Sequence, residues 1–89
     1  MNDKNNSADT LFKEHRARID DLDERIITLL AERFEVVQDV GRIKAAQNIP
    51  VVQHERAESV KQRAARLAEE RGLDGALVRH IYTLLIDHA

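Results

Sequence analysis

The apolar residues in the first half of the chain recur at alternating steps of three and four, the spacing of one helix face. The pattern continues from about residue 11 to about residue 47 with no proline inside it. A helix of about 36 residues is about 54 Å long, which far exceeds the diameter of a compact domain of this size. It therefore cannot pack along its whole length against its own chain. The repeating positions, which we call the seam, are Ile19, Leu22, Ile26, Leu29, Arg33, Val36, Val40 and Ile43.

A second apolar stripe runs beside the seam and widens the apolar face of the long helix. A face wider than the stripe of a two-stranded coiled coil contacts more than one neighbouring helix. Because a chain of 89 residues buries a modest fraction of its unfolded surface, a second copy could supply those neighbours. The stripe comprises Ile27, Leu30, Phe34 and Val37.

One position of the seam holds a permanent charge, Arg33. In one interpretation its long stem covers apolar surface while its head reaches water or pairs with Glu32 or Glu35. In the other, the buried guanidinium meets an anion from outside the chain, since burial without a counter-charge is costly. Lys44 lies about 20° around the helix from Arg33 and about 16 Å along it, so two cations share one face. Their side chains could converge on a small anion.

Arg16 cannot join that pair within a single straight helix. It precedes Arg33 by about 25 Å along the axis and is turned by about 100°. Antiparallel pairing of two long helices would bring the early turns of one chain to the late turns of the other. We therefore predict a homodimer in which Arg16 reaches the site of the partner chain.

The rest of the chain predicts two shorter helices. Pro50 ends the long helix, because proline lacks a backbone donor and moves the preceding residue out of the helical region. The second helix runs from about residue 54 to residue 71, with Gly72 as its C-cap. Asp74 caps a third helix that has no stop signal before Ala89. The predicted fold is all-α, with one long helix and two short ones.

Helical spacing also predicts which faces of the short helices are buried. In the second helix the face comprises Ala57, Val60, Ala64, Leu67 and Ala68, and in the third Leu77, Ile81, Leu84 and Leu85. At the other end of the chain, Asp9 or Thr10 is predicted to cap the long helix. Residues 1–9 are predicted to form a disordered polar tail, and residues 10–89 a single helical domain.

Composition and charge exclude several classes of function. A net charge of −2 and 3% aromatic residues provide neither the positive potential nor the stacking surfaces that nucleic acids require. No apolar run approaches the about 20 residues that span a bilayer, and no signal segment is recognised. The absence of cysteine suits a reducing cytoplasm. The histidines lack the spacing of a metal motif, and the remaining cations, Arg79 among them, are predicted to be solvated.

These residues resemble the all-helical chorismate mutases of the AroQ class. The matching stretches are RARIDDLDERIITLLAERFEVVQDVGRIK (16–44), IPV (49–51), ER (55–56) and GLD (72–74). They extend the resemblance from about residue 11 to the end of the chain. The resemblance implies an intertwined, domain-swapped homodimer with two identical pockets, each built by both chains.

The resemblance also implies the roles of the site residues. Arg33 would hold a substrate carboxylate from the same chain, and Arg16 would reach a carboxylate from the partner chain. Lys44 would hydrogen-bond the ether oxygen and a carboxylate. Arg56 matches a further arginine near the loop, and Gln53 stands where the family often has an aspartate. Arg33 and Lys44 would be the catalytic residues of a dicarboxylate-binding site.

The implied reaction rearranges chorismate to prephenate in aromatic amino acid biosynthesis. A C–O bond breaks as a C–C bond forms within one molecule, so the reaction requires no acid, base, nucleophile or cofactor. Arginines that hold both carboxylates can fix the reactive conformer. Lys44 would stabilise the negative charge that grows on the ether oxygen.

Two positions, Ala57 and Gln53, depart from the family pattern, and Ala57 leaves recognition of the ring substituent open. After Arg56 the family commonly has a glutamate that binds the ring hydroxyl, and this chain has Ala57. The family's glutamine near the end of the third helix, a second donor to the ether oxygen, would fall just beyond Ala89. Isochorismate pyruvate lyases and 4-amino-4-deoxychorismate mutases, which share the scaffold, are therefore alternatives. A helical dimer without catalysis is an alternative of another class.

Overall fold

The computed structural model describes residues 8–50 and 53–89, and the regular elements within them are all helices. Residues 1–7 of the predicted polar tail lie outside the described residues. The long helix and the two short ones are present, which confirms the all-α class. The elements are α1 (Ala8–Leu11), α2 (Lys13–Ala46), α3 (His54–Glu70) and α4 (Gly75–Asp87).

The short α1 leads directly into α2. The N–H of Phe12 donates to the carbonyl of Ala8 over 2.9 Å, and the N–H of Arg16 donates to that of Phe12 over 2.8 Å. The α-helical hydrogen-bond pattern therefore passes through the junction. The backbone is already helical at Ala8, so the predicted N-cap at Asp9 or Thr10 is wrong.

A left-handed residue ends α2. Asn48 has a φ of 58°, and the N–H of Ile49 donates back to the carbonyl of Lys44 over 2.9 Å. This is the Schellman arrangement, in which asparagine is tolerated because its short polar side chain suits a positive φ. The helix does end before Pro50, as predicted, but Asn48 rather than the proline sets the last residue at Ala46.

The chain divides into two compact units, one ending at Glu35 and the other beginning at Val36. Within the second unit, α3 packs against α4. Among the described residues, the buried apolar side chains are those of Ala64 and Ala68, at 7% and 4% exposure. The other predicted members of the α3 face are half-buried, which confirms that face; they are Ala57, Val60 and Leu67.

The turn between α3 and α4 contains both predicted capping residues. Gly72 has a φ of 76°, and its N–H donates to the carbonyl of Glu69 over 3.1 Å, while that of Leu73 donates to Ala68 over 2.9 Å. Gly72 thus occupies the left-handed position after the last helical turn. Asp74 is the N-cap of α4, and its carboxylate accepts from the N–H of Ala76 over 2.9 Å. The prediction for Asp74 is confirmed, whereas the C-cap of α3 is Arg71, one position before the predicted Gly72.

In the single chain, most of the predicted buried face of α4 is exposed. Leu77, Ile81 and Leu84 are 56%, 43% and 48% exposed, and Leu85 is half-buried. The half-buried apolar residues of α4 lie on another side of the helix and include Val78, Tyr82 and Ile86. Because α4 has apolar residues on more than one side, α3 covers one side and leaves a stripe exposed. We call Leu73, Leu77, Ile81 and Leu84 the α4 stripe.

Helix α4 also ends earlier than predicted. Its last residue is Asp87, with His88 as C-cap, rather than Ala89. The N–H of His88 donates to the carbonyl of Leu84 over 3.1 Å, and that of Ala89 donates to Ile86 over 3.3 Å. The final hydrogen bond spans three residues instead of four, which is the usual tightening of a last helical turn.

Candidate active site

Helix α2 contains the predicted cations and has no fully buried residue along its 34 positions. Its half-buried residues all fall on one side of the helix, at steps of about three and four. Arg33 and Lys44 are the two charged residues among them, and the other charged residues of α2 are exposed. The half-buried set is Leu30, Arg33, Phe34, Val37, Gly41 and Lys44.

The side chain of Arg33 does not extend wholly into water. The residue is half-buried, and its Nη1 atom is buried. Removing part of a guanidinium from water is costly unless charge or hydrogen bonds compensate it. Partial burial is compatible with both interpretations of Arg33, and its place in an anion site stays a prediction.

Lys44 is half-buried in the last turn of α2. Its carbonyl accepts the hydrogen bond from Ile49 that closes the helix, so the end of α2 is fixed around this residue. A cation in the last turn also interacts favourably with the helix dipole. Lys44 therefore belongs to a helical turn whose end is closed by a backbone hydrogen bond, and not to a loop.

The other predicted site residues are exposed. Arg16 lies in the first turn of α2, within the first unit, as does Arg33. Gln53 and Arg56 lie at the start of α3, in the second unit, as does Lys44 at the end of α2. Their convergence in one pocket stays a prediction.

A shallow, open depression on the first unit does not coincide with the predicted site. It is lined by Asp21, Glu24, Arg25, Thr28 and Leu29. None of the predicted substrate-binding residues contributes to it. All of its lining residues belong to α2, so it is a groove on one helix rather than a closed pocket.

The described residues contain no cluster of three or more histidine, cysteine, aspartate or glutamate side chains placed to hold a metal ion. Within the same part of the chain, no helix is both long and apolar enough to cross a membrane.

Arg79, which is predicted to be solvated, keeps part of its side chain in solvent and also pairs with another helix. Arg79 is half-buried, and its Nη2 donates to Oε1 of Glu58 on the neighbouring helix α3. Sequence spacing offers no signal for such a pair, because the two residues are 21 positions apart on different helices. Only the packing of α4 on α3 brings them together.

Comparison with known sequences finds one matching family and several related enzymes. The sequence model of a family described as chorismate mutase type II matches residues 15–89. A chorismate mutase of Methanocaldococcus jannaschii is 35% identical over 75 residues, which cover 84% of this chain and 76% of that protein. A 4-amino-4-deoxychorismate mutase of Streptomyces venezuelae is 32% identical over 80% of this chain and 69% of its own length.

Longer proteins contain a similar segment. A bifunctional chorismate mutase/prephenate dehydratase of Escherichia coli is 32% identical over 81% of this chain, and the match covers 19% of that protein. No solved structure matches.

Proposed function

The chain belongs to the chorismate mutase type II family, and from this premise we propose that it catalyses the rearrangement of chorismate to prephenate. It is an isomerase of aromatic amino acid biosynthesis. The substrate is a small dianion, which requires a site with several fixed cations. The observation that carries the proposal is that Arg33 and Lys44 are the half-buried charged residues of α2.

Electrostatics and orientation suffice for this reaction. As the ether C–O bond breaks and the new C–C bond forms, negative charge develops on the ether oxygen. Lys44 donates a hydrogen bond to that oxygen, and this interaction is stronger in the transition state than in the ground state. Arg33 binds a carboxylate with its planar fork of donors and holds the enolpyruvyl arm over the ring.

The working form is a homodimer. A core that contains Ala64 and Ala68 as its buried apolar residues is too small to stabilise a domain, which normally depends on burial of many large side chains. Long helices derive most of their stability from tertiary packing of an apolar face. The exposed seam of α2 and the exposed α4 stripe supply such faces, and a second copy covers them in an intertwined, domain-swapped arrangement.

Each pocket is built by both chains. Arg33 and Lys44 come from one chain, and Arg16 comes from the partner's α2 and binds the second carboxylate. Arg56 and Gln53, at the start of α3, complete the substrate contacts of the same pocket. The exposure of Arg16, Gln53 and Arg56 in a single chain is compatible with a site that closes only on assembly.

Ala57 leaves one substrate contact unassigned. This half-buried methyl group cannot bind the ring hydroxyl of chorismate as a glutamate would. We therefore expect weaker recognition of the ring than of the two carboxylates.

The absence of cysteine fits a cytoplasmic enzyme.

Product analysis tests the proposal. Purified protein is supplied separately with chorismate, isochorismate and 4-amino-4-deoxychorismate, and the products are separated by chromatography. We expect prephenate from chorismate. Salicylate and pyruvate from isochorismate, or rearrangement of the amino compound alone, would assign a different reaction on this scaffold. No turnover of any of the three would indicate a helical dimer without catalysis.

A pair of variants links the activity to the site. Lys44→Ala should lower kcat by about a hundredfold or more, because one donor to the developing charge is lost. Arg42→Ala, which removes an exposed cation that pairs with Asp39 in the same helix, should leave kcat unchanged. Circular dichroism should be the same for both variants. Equal rates for Lys44→Ala and the wild type would remove Lys44 from the mechanism.

A further inference from the structure

The N-terminus of α3 bears two of the proposed substrate-binding residues, Gln53 and Arg56, and no side-chain hydrogen bond caps it. Gln53 is the N-cap, with extended backbone angles (φ −118°, ψ 101°) and no side-chain hydrogen bond to the helix. Residues 53–56 are exposed. Without a capping side chain, the first backbone N–H groups of a helix depend on water and the turn frays readily.

An ion pair ties this end of α3 to α4. Glu58, two positions after Arg56, accepts a hydrogen bond from Arg79 of α4. The side chains of Arg79 and Glu58 are 39% and 49% exposed, so the pair is partly withdrawn from solvent. The opposite end of the same helix pair is held separately, by the hydrogen bond from Gly75 to Glu69.

We propose that Arg79 is a positioning residue that acts through Glu58 to keep the first turn of α3 folded and Arg56 oriented toward substrate. The proposal rests on the function proposed above. An ion pair of this exposure changes an equilibrium by up to about fivefold. That is small against global unfolding, but local opening at a helix end costs little free energy, so the same factor changes its population appreciably.

The consequence for kinetics follows from what Arg56 does. Arg56 is proposed as a substrate-binding residue, and a residue that binds the substrate equally in the ground state and the transition state affects KM and leaves kcat nearly unchanged. Loosening the first turn should therefore raise KM without a matching loss of kcat. If Arg79 contributed only to global stability, its substitution would lower the melting temperature without raising KM relative to kcat.

The test compares Arg79→Gln and Glu58→Gln with Arg71→Gln. Arg71 is a matched control, because it pairs with Glu70 and with the carbonyl of Leu67 at the far end of α3. The first two variants should raise KM for chorismate by about 1.5-fold to threefold while kcat stays unchanged, because a fivefold change in the opening equilibrium alters the folded fraction of the turn by less than fivefold. Arg71→Gln should leave both constants unchanged. The swapped variant Glu58→Arg with Arg79→Glu should restore KM.

Two further measurements make the outcome decisive. In an Arg56→Ala background, Arg79→Gln should have no additional effect on KM. An effect as large as in the wild-type background would overturn the proposal. So would an unchanged KM when Arg79→Gln is made in the wild-type protein. The Ala57 N–H, which donates to the carbonyl of Gln53 over 3.0 Å, should exchange with solvent faster in Arg79→Gln than in Arg71→Gln. Equal exchange in these two variants would also overturn it. This readout needs no turnover, so it separates failure of this proposal from failure of the proposed function.

Discussion

Gly75 lies directly against Glu69: its N–H donates to Oε1 of Glu69 over 3.0 Å. A Cβ added at Gly75 would stand 2.6 Å from that oxygen and 3.2 Å from the carbonyl oxygen of Ala65. A side chain at this position would therefore require the carboxylate of Glu69 to move and the backbone at Ala65 to shift by a few tenths of an ångström. This contact fixes the helix pair whose other end bears the proposed substrate-binding residues.

We expect Gly75→Ala to destabilise the protein by about 1–2 kcal/mol, because the new methyl group must displace Glu69 and shift the backbone near Ala65. Urea denaturation at a fixed protein concentration measures this, since the stability of a dimer depends on concentration. In a Glu69→Ala background, Gly75→Ala should lower the free energy of unfolding by less, because the Glu69 carboxylate that the new methyl group would meet is absent. Equal costs in both backgrounds would contradict the described contact.

Arg33 should be required for binding of a small dianion. Calorimetric titration with a bicyclic dicarboxylate that mimics the transition state should give saturable binding to the wild type. Arg33→Ala should weaken binding by about tenfold to a hundredfold, as expected for loss of charged hydrogen bonds. Arg42→Ala, on the same helix but exposed, should bind like the wild type. Identical affinities for the two variants would exclude Arg33 from the site.

The seam should form the dimer interface. Ile26 is 53% exposed in the single chain, and a glutamate there would bury a charge on association. Ile26→Glu should therefore yield monomers in sedimentation experiments at concentrations where the wild type dimerises. Thr28→Glu adds the same charge on the opposite side of the helix and should leave the dimer intact. A monomeric wild type, or a dimeric Ile26→Glu, would refute this interface.

Ala57 should limit recognition of the ring. A carboxylate at this position can accept a hydrogen bond from the ring hydroxyl, so Ala57→Glu should raise kcat/KM for chorismate about threefold to tenfold. Ala57→Gln, of similar size but uncharged, should give a smaller gain. The comparison uses initial rates at subsaturating chorismate. A loss of activity in both variants would mean that the half-buried position lacks room for a longer side chain.

Much of the fold follows from local sequence rules. The seam predicts α2 because apolar spacing of three and four persists without a break, and Gly72 and Asp74 mark the turn between α3 and α4 through their specific backbone roles. The place of Arg33 in an apolar pattern predicts that it is a site residue; it is half-buried, and its role stays a prediction. These features depend on residues close together in sequence.

The features that were missed depend on tertiary contacts or on subtle backbone preferences. The Glu58–Arg79 pair exists because two helices pack, and no spacing within one helix predicts it. The apolar residues of α4 lie on more than one side, so pattern alone could not decide which side faces α3. Asn48 ends α2 through a positive φ that asparagine adopts only occasionally, whereas Pro50 is the stronger signal in the sequence.

The central claim is that each active site combines Arg33 and Lys44 of one chain with Arg16 of the other. Arg16→Ala and Arg33→Ala should each be nearly inactive as homodimers. A mixed dimer of the two contains one pocket with both defects and one pocket with neither. Unfolding and refolding an equal mixture, followed by a prephenate assay, tests this arrangement directly.

We predict that the refolded mixture recovers about a quarter of the wild-type activity, because half of the dimers are mixed and half of their pockets are intact. A separate mixture of Arg33→Ala and Lys44→Ala, whose residues belong to the same chain, should recover nothing. A refolded Arg16→Ala and Arg33→Ala mixture that stays as inactive as its parents would contradict a pocket shared between two chains.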